Sequence, residues 1–326
     1  MALTQISTQG IKDGTIVSAD LVTNQDFTIN SVTIGKGANS VAGNTVLGES
    51  ALDASVSGGS NTAIGKNALT SNTSGASNTA LGLSSLFSNT TADNNTAIGT
   101  NTLLVNTTGS NNTAVGFTSL SANTTGGFNV AVGANALDAN LTGSQNTAIG
   151  ENSLTNNTAS DNTAVGRDSL RDNTSGNHNT AVGKDALELN TTGAENTAVG
   201  AKALDANTTA SGGAAFGLGA LGANTTGAEN TALGASSMQQ NSTGASNVAV
   251  GNQALKSNTT ASDNTAVGYK SLLSNTTGNS NVAIGFEALK DSTTSSNNTA
   301  LGYKSLLSNT TGNSNVAVGA NALVAC

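Results

Sequence analysis

The residues that could perform chemistry are few and scattered. The chain of 326 residues contains one histidine, His178, one cysteine, Cys326, and no tryptophan. An enzyme needs titratable groups that converge in a pocket, but His178 and most acidic residues lie at positions that vary between repeats. The sequence contains neither a Gly-x-x-x-x-Gly-Lys-Ser/Thr phosphate loop nor the regular aspartate of calcium-binding β-rolls. We therefore expect no catalytic residue, no metal and no cofactor.

Charge and hydropathy exclude further classes of function. The net charge is −8 and the eleven basic residues are scattered, so nucleic acid is a poor partner, because phosphate binding needs clustered Lys and Arg. No run approaches the roughly 20 apolar residues of a membrane helix, and we expect no membrane insertion. The first residues lack the basic start and apolar core of a signal peptide. The lone Cys326 leaves no partner for an internal disulfide.

A 17-residue sequence motif repeats from residue 44 to the end of the chain. Asn61-Thr-Ala-Ile-Gly65, Asn95-Thr-Ala-Ile-Gly99 and Asn315-Val-Ala-Val-Gly319 are three of the seventeen copies, and only the unit that begins at Asn146 is 16 residues long. A short fixed period is typical of a solenoid, in which each unit is one coil that buries its apolar face by stacking on its neighbours. The repeat region therefore predicts a rod. Stacking at one inter-strand spacing per coil would make it about 80 Å long.

The conserved positions of a unit, numbered 1 to 17 from its first Asn, predict the shape of one coil. Positions 2 to 4 read as a short β-strand, and a second short strand around positions 7 to 10 is expected to carry the Leu of position 9 inward. Position 5 is always glycine, which predicts a corner with positive φ or a close backbone approach. Representative corner glycines are Gly65, Gly99, Gly183 and Gly285. Asn-Thr-Thr-Gly at positions 12 to 15 predicts the return turn, and the Asn of positions 1 and 12 predict side-chain ladders.

The apolar content of each coil indicates self-association. A coil offers only two large apolar side chains plus alanines, which makes a thin core for a lone chain. The small residues at positions 3 and 8 are expected to pack against other copies, because small side chains let backbones approach closely. Homo-oligomers with cyclic symmetry are the common outcome of such packing.

The repeat also carries a family resemblance. The unit Asn-Thr/Val-Ala-Val/Ile-Gly-x-x-Ala/Ser-Leu-x-x-Asn-Thr-Thr-Gly-x-x, over residues 44–326, resembles the repeat of phage tail-fibre and related virion proteins. It is similar to a lengthened form of the repeat in trimeric autotransporter adhesin heads, with Asn129-Val-Ala-Val-Gly133 and Asn281-Val-Ala-Ile-Gly285 the nearest copies. The resemblance implies an all-β, left-handed parallel β-roll, or β-solenoid, in a parallel homotrimer.

The N-terminal part resembles the attachment region of phage fibres. Residues 31–43 resemble the lead-in coil that precedes such arrays, and residues 1–30 resemble a segment that docks onto a baseplate, tail or capsid protein of the virion. The expected docking anchors are Ile6, Ile11, Ile16 and Leu21. The implied function is a non-enzymatic structural fibre of a phage particle, a rigid shaft with a role in host attachment.

Two alternatives remain open. The first is the head of a bacterial trimeric adhesin on the cell surface, although the sequence contains no coiled-coil stalk or membrane anchor. The second is an ice-binding solenoid, which is less favoured because the threonines of positions 13 and 14 fall in the return turn instead of on a flat strand face. Thermal hysteresis would identify the ice-binding alternative.

Three aromatic residues form a candidate binding surface near the end of the rod. Position 6 is variable, yet three successive units carry an aromatic ring there, and stacking predicts one ring above another. The candidate residues for binding a host-surface glycan are Tyr269, Phe286, Tyr303, Lys270 and Lys304. Two other readings stay open: a recent duplication, since units 264–280 and 298–314 are nearly identical, and packing against a neighbouring subunit.

Overall fold

Each repeat contributes one short β-strand to a single continuous sheet. The computed structural model describes residues 26–54 and 56–324. Its 19-stranded sheet contains the following strands, in chain order: β1 Phe27–Ile29, β2 Val32–Gly35, β3 Thr45–Gly48, β4 Thr62–Ile64, β5 Thr79–Leu81, β6 Thr96–Ile98, β7 Thr113–Val115, β8 Val130–Val132, β9 Thr147–Ile149, β10 Thr163–Val165, β11 Thr180–Val182, β12 Thr197–Val199, β13 Ala214–Phe216, β14 Thr231–Leu233, β15 Val248–Val250, β16 Thr265–Val267, β17 Val282–Ile284, β18 Thr299–Leu301 and β19 Val316–Val318. Apart from a 3-10 turn at Ala38–Ser40, the described ranges contain no helix.

Strands β3 to β19 are parallel and in register. Each strand pairs with the next one along the chain, so that position 3 meets position 3, as Ala63 meets Ala80. The 16-residue unit keeps this register, since Thr147 pairs with Thr163. The missing residue is absorbed in its return turn, where the Asn157 amide donates to the carbonyl two residues on instead of three. The predicted parallel β-solenoid and the location of the irregularity are both confirmed.

An antiparallel hairpin lies over the first coil. Strands β1 and β2 pair antiparallel, and β2 pairs antiparallel with β3. The segment 31–43, expected as the lead-in coil, contains β2 and the 3-10 turn. Both carboxylate oxygens of Asp26 accept backbone hydrogen bonds there, from the N–H groups of Lys36 at 2.6 Å and Gly37 at 2.7 Å. The hairpin therefore covers the hydrogen-bonding edge of β3, which would otherwise be open.

The core differs from the prediction in which side chains it contains. The position-3 alanines, the small residues of position 8 and the position-9 leucines are buried inside their own coil, as Ala63, Ala68 and Leu69 illustrate at 0% exposure. Because side chains alternate along a strand, positions 2 and 4 point outward, and Ile149 is 41% exposed. The expectation that positions 3 and 8 face other copies is wrong. The outward apolar stripe is the one at position 4.

Positions 7 to 10 form a turn, so the predicted second strand is wrong, although the leucine does point inward. The residues of positions 7 and 9 have left-handed backbone angles, with φ of 60° at Asn67 and 52° at Leu69. These angles are uncommon for residues other than glycine, and here they recur in the described coils. Two left-handed residues in alternation bend the chain tightly enough to fold the leucine back under the strand.

Candidate functional site

The corner glycines have both a positive φ and a close contact with the next backbone, and each of these excludes a side chain. Gly65, Gly99, Gly183 and Gly285 have φ of 127°, 136°, 134° and 139°, a region that essentially only glycine occupies. A Cβ on Gly99 would lie 2.2 Å from the carbonyl oxygen of Gly116 in the next coil. The stack therefore depends on glycine at this corner, where one backbone passes directly over the next.

The asparagines of position 1 form the first predicted ladder, which is confirmed. The backbone N–H of Asn78 donates to Oδ1 of Asn61 at 2.9 Å, and the Asn78 amide donates to the carbonyl of Ala92 at 2.8 Å. This pattern joins each strand to the return turn of its own coil and to the coil before it. Gly213, which has no side chain, interrupts the ladder.

The asparagines of position 12 form the second predicted ladder, also confirmed. The Asn123 amide donates to Oδ1 of Asn106 at 2.8 Å and to the carbonyl of Gly126 at 2.9 Å. Two buried oxygens in the described residues lack a hydrogen-bond partner, Oδ1 of Asn140 and Oδ1 of Asn275. Each lies where the ladder breaks, the first below the short unit and the second below Ser292, which replaces the usual asparagine.

The threonines of position 13 are part of this bonding pattern. The Thr191 hydroxyl donates to the carbonyl of Thr208 at 2.9 Å, and the Thr107 hydroxyl donates to the carbonyl of Thr124 at 3.1 Å. Their hydroxyl hydrogens are thus engaged along the stack, on a bend of the chain. They contribute to the cohesion of the coils.

Charged side chains pair across coils in the middle of the rod. Arg171 lies 2.9 Å from Asp172 and also pairs with Glu188 of the next coil. The hydrogen bond from Arg171 lowers the pKa of Asp172, whereas burial raises the pKa of Asp205. Lys202 lies 3.9 Å from Asp205, and the two line a shallow notch of about 440 Å³. These contacts indicate a solvent-facing surface on which the charged side chains form ion pairs with one another.

The three aromatic residues form a column. The ring centroids of Tyr269 and Phe286 are 5.3 Å apart with planes inclined by 24°, and those of Phe286 and Tyr303 are 5.4 Å apart with planes inclined by 15°. The ammonium group of Lys270 lies 5.0 Å from the Tyr269 ring centroid, and that of Lys304 lies 5.2 Å from the Tyr303 centroid. The structure therefore brings all five candidate residues together on one surface of three consecutive coils, which we call the aromatic column.

A carboxylate holds part of this cluster. Glu287 accepts ion pairs from Lys290 at 3.4 Å and from Lys304 at 3.7 Å. Tyr303 and, more weakly, Glu287 raise the pKa of Lys304, which keeps it charged. Lys270 forms no ion pair within the described residues. Sequence reasoning found the rings and the position-7 charges, but it missed Lys290, which lies at position 10 of the middle unit.

The other candidate features lie elsewhere or outside the described residues. His178 is exposed at the variable last position of its unit. The proposed docking anchors Ile6, Ile11, Ile16 and Leu21, as well as Cys326, lie outside the described ranges. Within those ranges, no three His, Cys, Asp or Glu side chains cluster as metal ligands, and no helix has the length and hydropathy to cross a bilayer.

The fold defines the class of this protein, a parallel β-solenoid repeat protein. No protein-family profile matches the chain, and no curated protein is significantly similar to it. Its function must therefore be argued from the solenoid and its surfaces.

Proposed function

We propose that this protein is a non-enzymatic structural fibre of a phage particle, in which the solenoid is the shaft. The observation that carries the proposal is the unbroken in-register sheet from Thr45 to Val318. The coils from β3 to β19 repeat the same strand pairing, and most of them also repeat the asparagine and threonine bonds of the coil before. Such a stack resists bending and shear over its whole length, which is the mechanical property that a shaft requires.

The proposed fibre is a parallel homotrimer whose subunits meet at the strand face, defined as positions 2 and 4 of all units. This face carries Thr, Val or Ala at position 2 and aliphatic or Phe side chains at position 4, and it carries no charge. Position 4 remains widely exposed in one chain, with Ile98 at 36% and Leu301 at 45%. A long uncharged row of outward apolar side chains, bordered by the threonines of position 2, favours a protein interface. The number three comes from the family resemblance.

The oligomer is tested by placing charges on the strand face. Ile98→Glu together with Ile149→Glu should convert the trimer to monomers in sedimentation velocity, because carboxylates would be desolvated in an apolar interface. Phe117→Glu is the matched control, since Phe117 is exposed at position 6, outside the strand face. A parent protein that sediments as a folded monomer at micromolar concentration would refute the trimer.

The location on the particle is tested by imaging. Antibody or gold labelling of the C-terminal coils should mark fibres on intact phage particles in electron micrographs. A variant without residues 1–30 should keep the β-rich circular dichroism spectrum but fail to join particles, since this segment is proposed to dock onto the virion. Quadruple replacement of Ile6, Ile11, Ile16 and Leu21 by Ser should have the same effect.

The bacterial adhesin alternative would use the same rod and differs in its location. Labelling on the bacterial surface in cultures free of phage would favour it over the virion fibre. The ice-binding alternative loses support from the position-13 hydroxyls, which already donate to backbone carbonyls. We expect no thermal hysteresis from the purified protein.

A further inference from the structure

The aromatic column exposes the rims of its rings and not their faces. Phe286 stacks on Tyr269 on one side and on Tyr303 on the other, so neither of its faces can receive a ligand. The two tyrosines each have one face against Phe286 and a lysine ammonium group within about 5 Å of the ring centroid. Even so, the three residues remain 41%, 42% and 48% exposed. A ligand would therefore meet ring edges and lysine side chains instead of stacking between the rings.

This exposed surface has a positive electrostatic character. The edge of an aromatic ring carries the positive part of its quadrupole, and the hydroxyl groups of Tyr269 and Tyr303 can donate hydrogen bonds. Lys270 adds a charge that no carboxylate in the described residues neutralises, while Glu287 is shared by Lys290 and Lys304. All of these groups favour a ligand that presents anionic or acceptor oxygens.

The charge distribution along the chain supports the same ligand class. Four of the eleven basic residues follow residue 255, compared with three of the nineteen acidic residues. Residues 1–255 have seven basic and sixteen acidic residues, a net charge of −9, whereas the residues after 255 have a net charge of +1. The C-terminal coils are therefore less repulsive to a polyanion than the rest of the rod.

The geometry also indicates an elongated ligand. The ring centroids of successive coils lie 5.3 and 5.4 Å apart, a spacing comparable to the length of one sugar in an extended polysaccharide. The column lies at position 6, beyond the glycine corner and outside the strand face that the proposed trimer would cover. Its repeat runs in the direction in which the coils stack.

We propose that the aromatic column, with Lys270 and Lys304, binds an acidic polysaccharide lying along the rod. Anionic groups of the polymer contact the lysines and the ring edges, and sugar oxygens accept hydrogen bonds from the tyrosine hydroxyls. This proposal deepens the attachment role within the proposed function by naming its ligand class. It can be tested on the purified full chain without particles, so its failure is separate from a failure to find the protein on virions.

The experiment measures binding of alginate oligosaccharides by calorimetry, with dextran oligosaccharides and polyglutamate of matched length as comparison polymers. Alginate should bind more than tenfold more tightly than either of them. The triple variant Tyr269→Ser/Phe286→Ser/Tyr303→Ser should weaken alginate binding at least tenfold. Lys270→Gln/Lys304→Gln should weaken binding and reduce its dependence on salt concentration. Phe117→Ser, which removes an isolated ring at the same position of another unit, is the control and should have no effect.

Several results would overturn the proposal. If polyglutamate binds as tightly as alginate, the surface is a general polyanion site. If dextran binds as tightly as alginate and Lys270→Gln/Lys304→Gln does not weaken its binding, the surface is a neutral-sugar site. Unchanged alginate binding in the triple variant would place the ligand elsewhere, and absence of alginate binding to the parent would also refute the site. Circular dichroism and sedimentation establish that each variant keeps the fold and oligomeric state of the parent.

Discussion

The break in the position-12 ladder at Ser292 provides a quantitative test of what these ladders contribute to stability. Oδ1 of Asn275 is buried below Ser292 without a partner, and the amide of Asn309 above it donates only to Gly312 of its own turn. The hydroxyl groups of Ser292 and Ser295 instead bond to each other at 2.5 Å. The double variant Ser292→Asn/Ser295→Gly restores the usual residues of positions 12 and 15.

The expected effect follows from the bonds gained and lost. The new amide would donate to Asn275 and its oxygen would accept from Asn309, which adds two ladder bonds of roughly 0.5–1.5 kcal/mol each and pairs a buried oxygen that costs about 1–3 kcal/mol when unpaired. The variant loses the serine pair, and glycine adds an entropic cost of about 0.5–1 kcal/mol. The amide of Asn298 loses Ser295 but retains the carbonyl of Gly312 at 2.9 Å. The net expectation is stabilisation by about 1–2 kcal/mol.

The assay combines global and local measurements at fixed protein concentration, because the proposed association would contribute to stability. Chemical denaturation gives the change in free energy of unfolding, and hydrogen exchange should show increased protection of backbone amides in the coils around Ser292. The opposite change, Asn190→Ser, breaks an intact ladder, in which Asn190 donates to Asn173 and accepts from Asn207, both at 2.7 Å. Gly193 is kept in this reverse variant, because a Cβ there would lie 2.3 Å from the carbonyl oxygen of Ala210. The reverse variant should destabilise by a comparable amount.

The reasoning would be refuted by a mismatch in sign. If Ser292→Asn/Ser295→Gly is neutral or destabilising while the reverse variant is also neutral, the side-chain ladders contribute nothing measurable and backbone pairing alone holds the coils. If the reverse variant lowers the free energy of unfolding but Ser292→Asn/Ser295→Gly does not raise it, the local backbone at Ser292 has adapted to serine.

Three further changes test other parts of the fold. Gly99→Ala should cost more than about 3 kcal/mol in chemical denaturation, because the new Cβ meets the carbonyl of Gly116 and adopts a φ of 136°; a smaller cost would mean that the coils can move apart. Leu137→Ala should cost about 2–5 kcal/mol through loss of a fully buried side chain, whereas Leu323→Ala, 49% exposed, should cost much less. Asp172→Asn should reduce stability at neutral pH. The folded-state pKa of Asp172 lies below its ordinary 3.8, so its contribution is present above that value and is lost as the pH falls through the lowered pKa. The difference between parent and variant in pH-dependent melting should therefore disappear in acid.

The sequence predicted the periodic features well because each has one structural solution. Invariant glycine at a corner, asparagine at two fixed positions and a leucine in every coil leave few alternatives once coils stack in register. Gly65, Asn61 and Leu69 accordingly have the predicted angle, bonds and burial. The period and the short unit at Asn146 were likewise readable from spacing alone.

The inward and outward faces could not be assigned from the sequence. In Thr62-Ala63-Ile64, alternation allows either Ala63 or its two neighbours to point inward, and a three-residue strand is too short to decide. The larger apolar residue is the usual choice for a core. Here the coil also encloses Leu69 and two asparagine ladders, so position 3 takes a small side chain, alanine in every unit except the first, where Val46 is buried. The left-handed angle of Leu69 had no sequence signal, because leucine rarely adopts it. The frequent asparagine at position 7, as at Asn67, is a weak signal for the left-handed region.

In-register stacking has a consequence for how such a chain can vary in length. The junctions between units share the same strand register, so a whole unit inserted or deleted in the gene would add or remove one coil and leave the stacking of the others in place. Units 264–280 and 298–314 are nearly identical, which is the pattern that duplication of whole units would produce. Because β16 and β18 occupy equivalent places in the sheet, such an event would move the aromatic column relative to the N-terminal hairpin by whole coils, and the length of the solenoid would change in fixed steps.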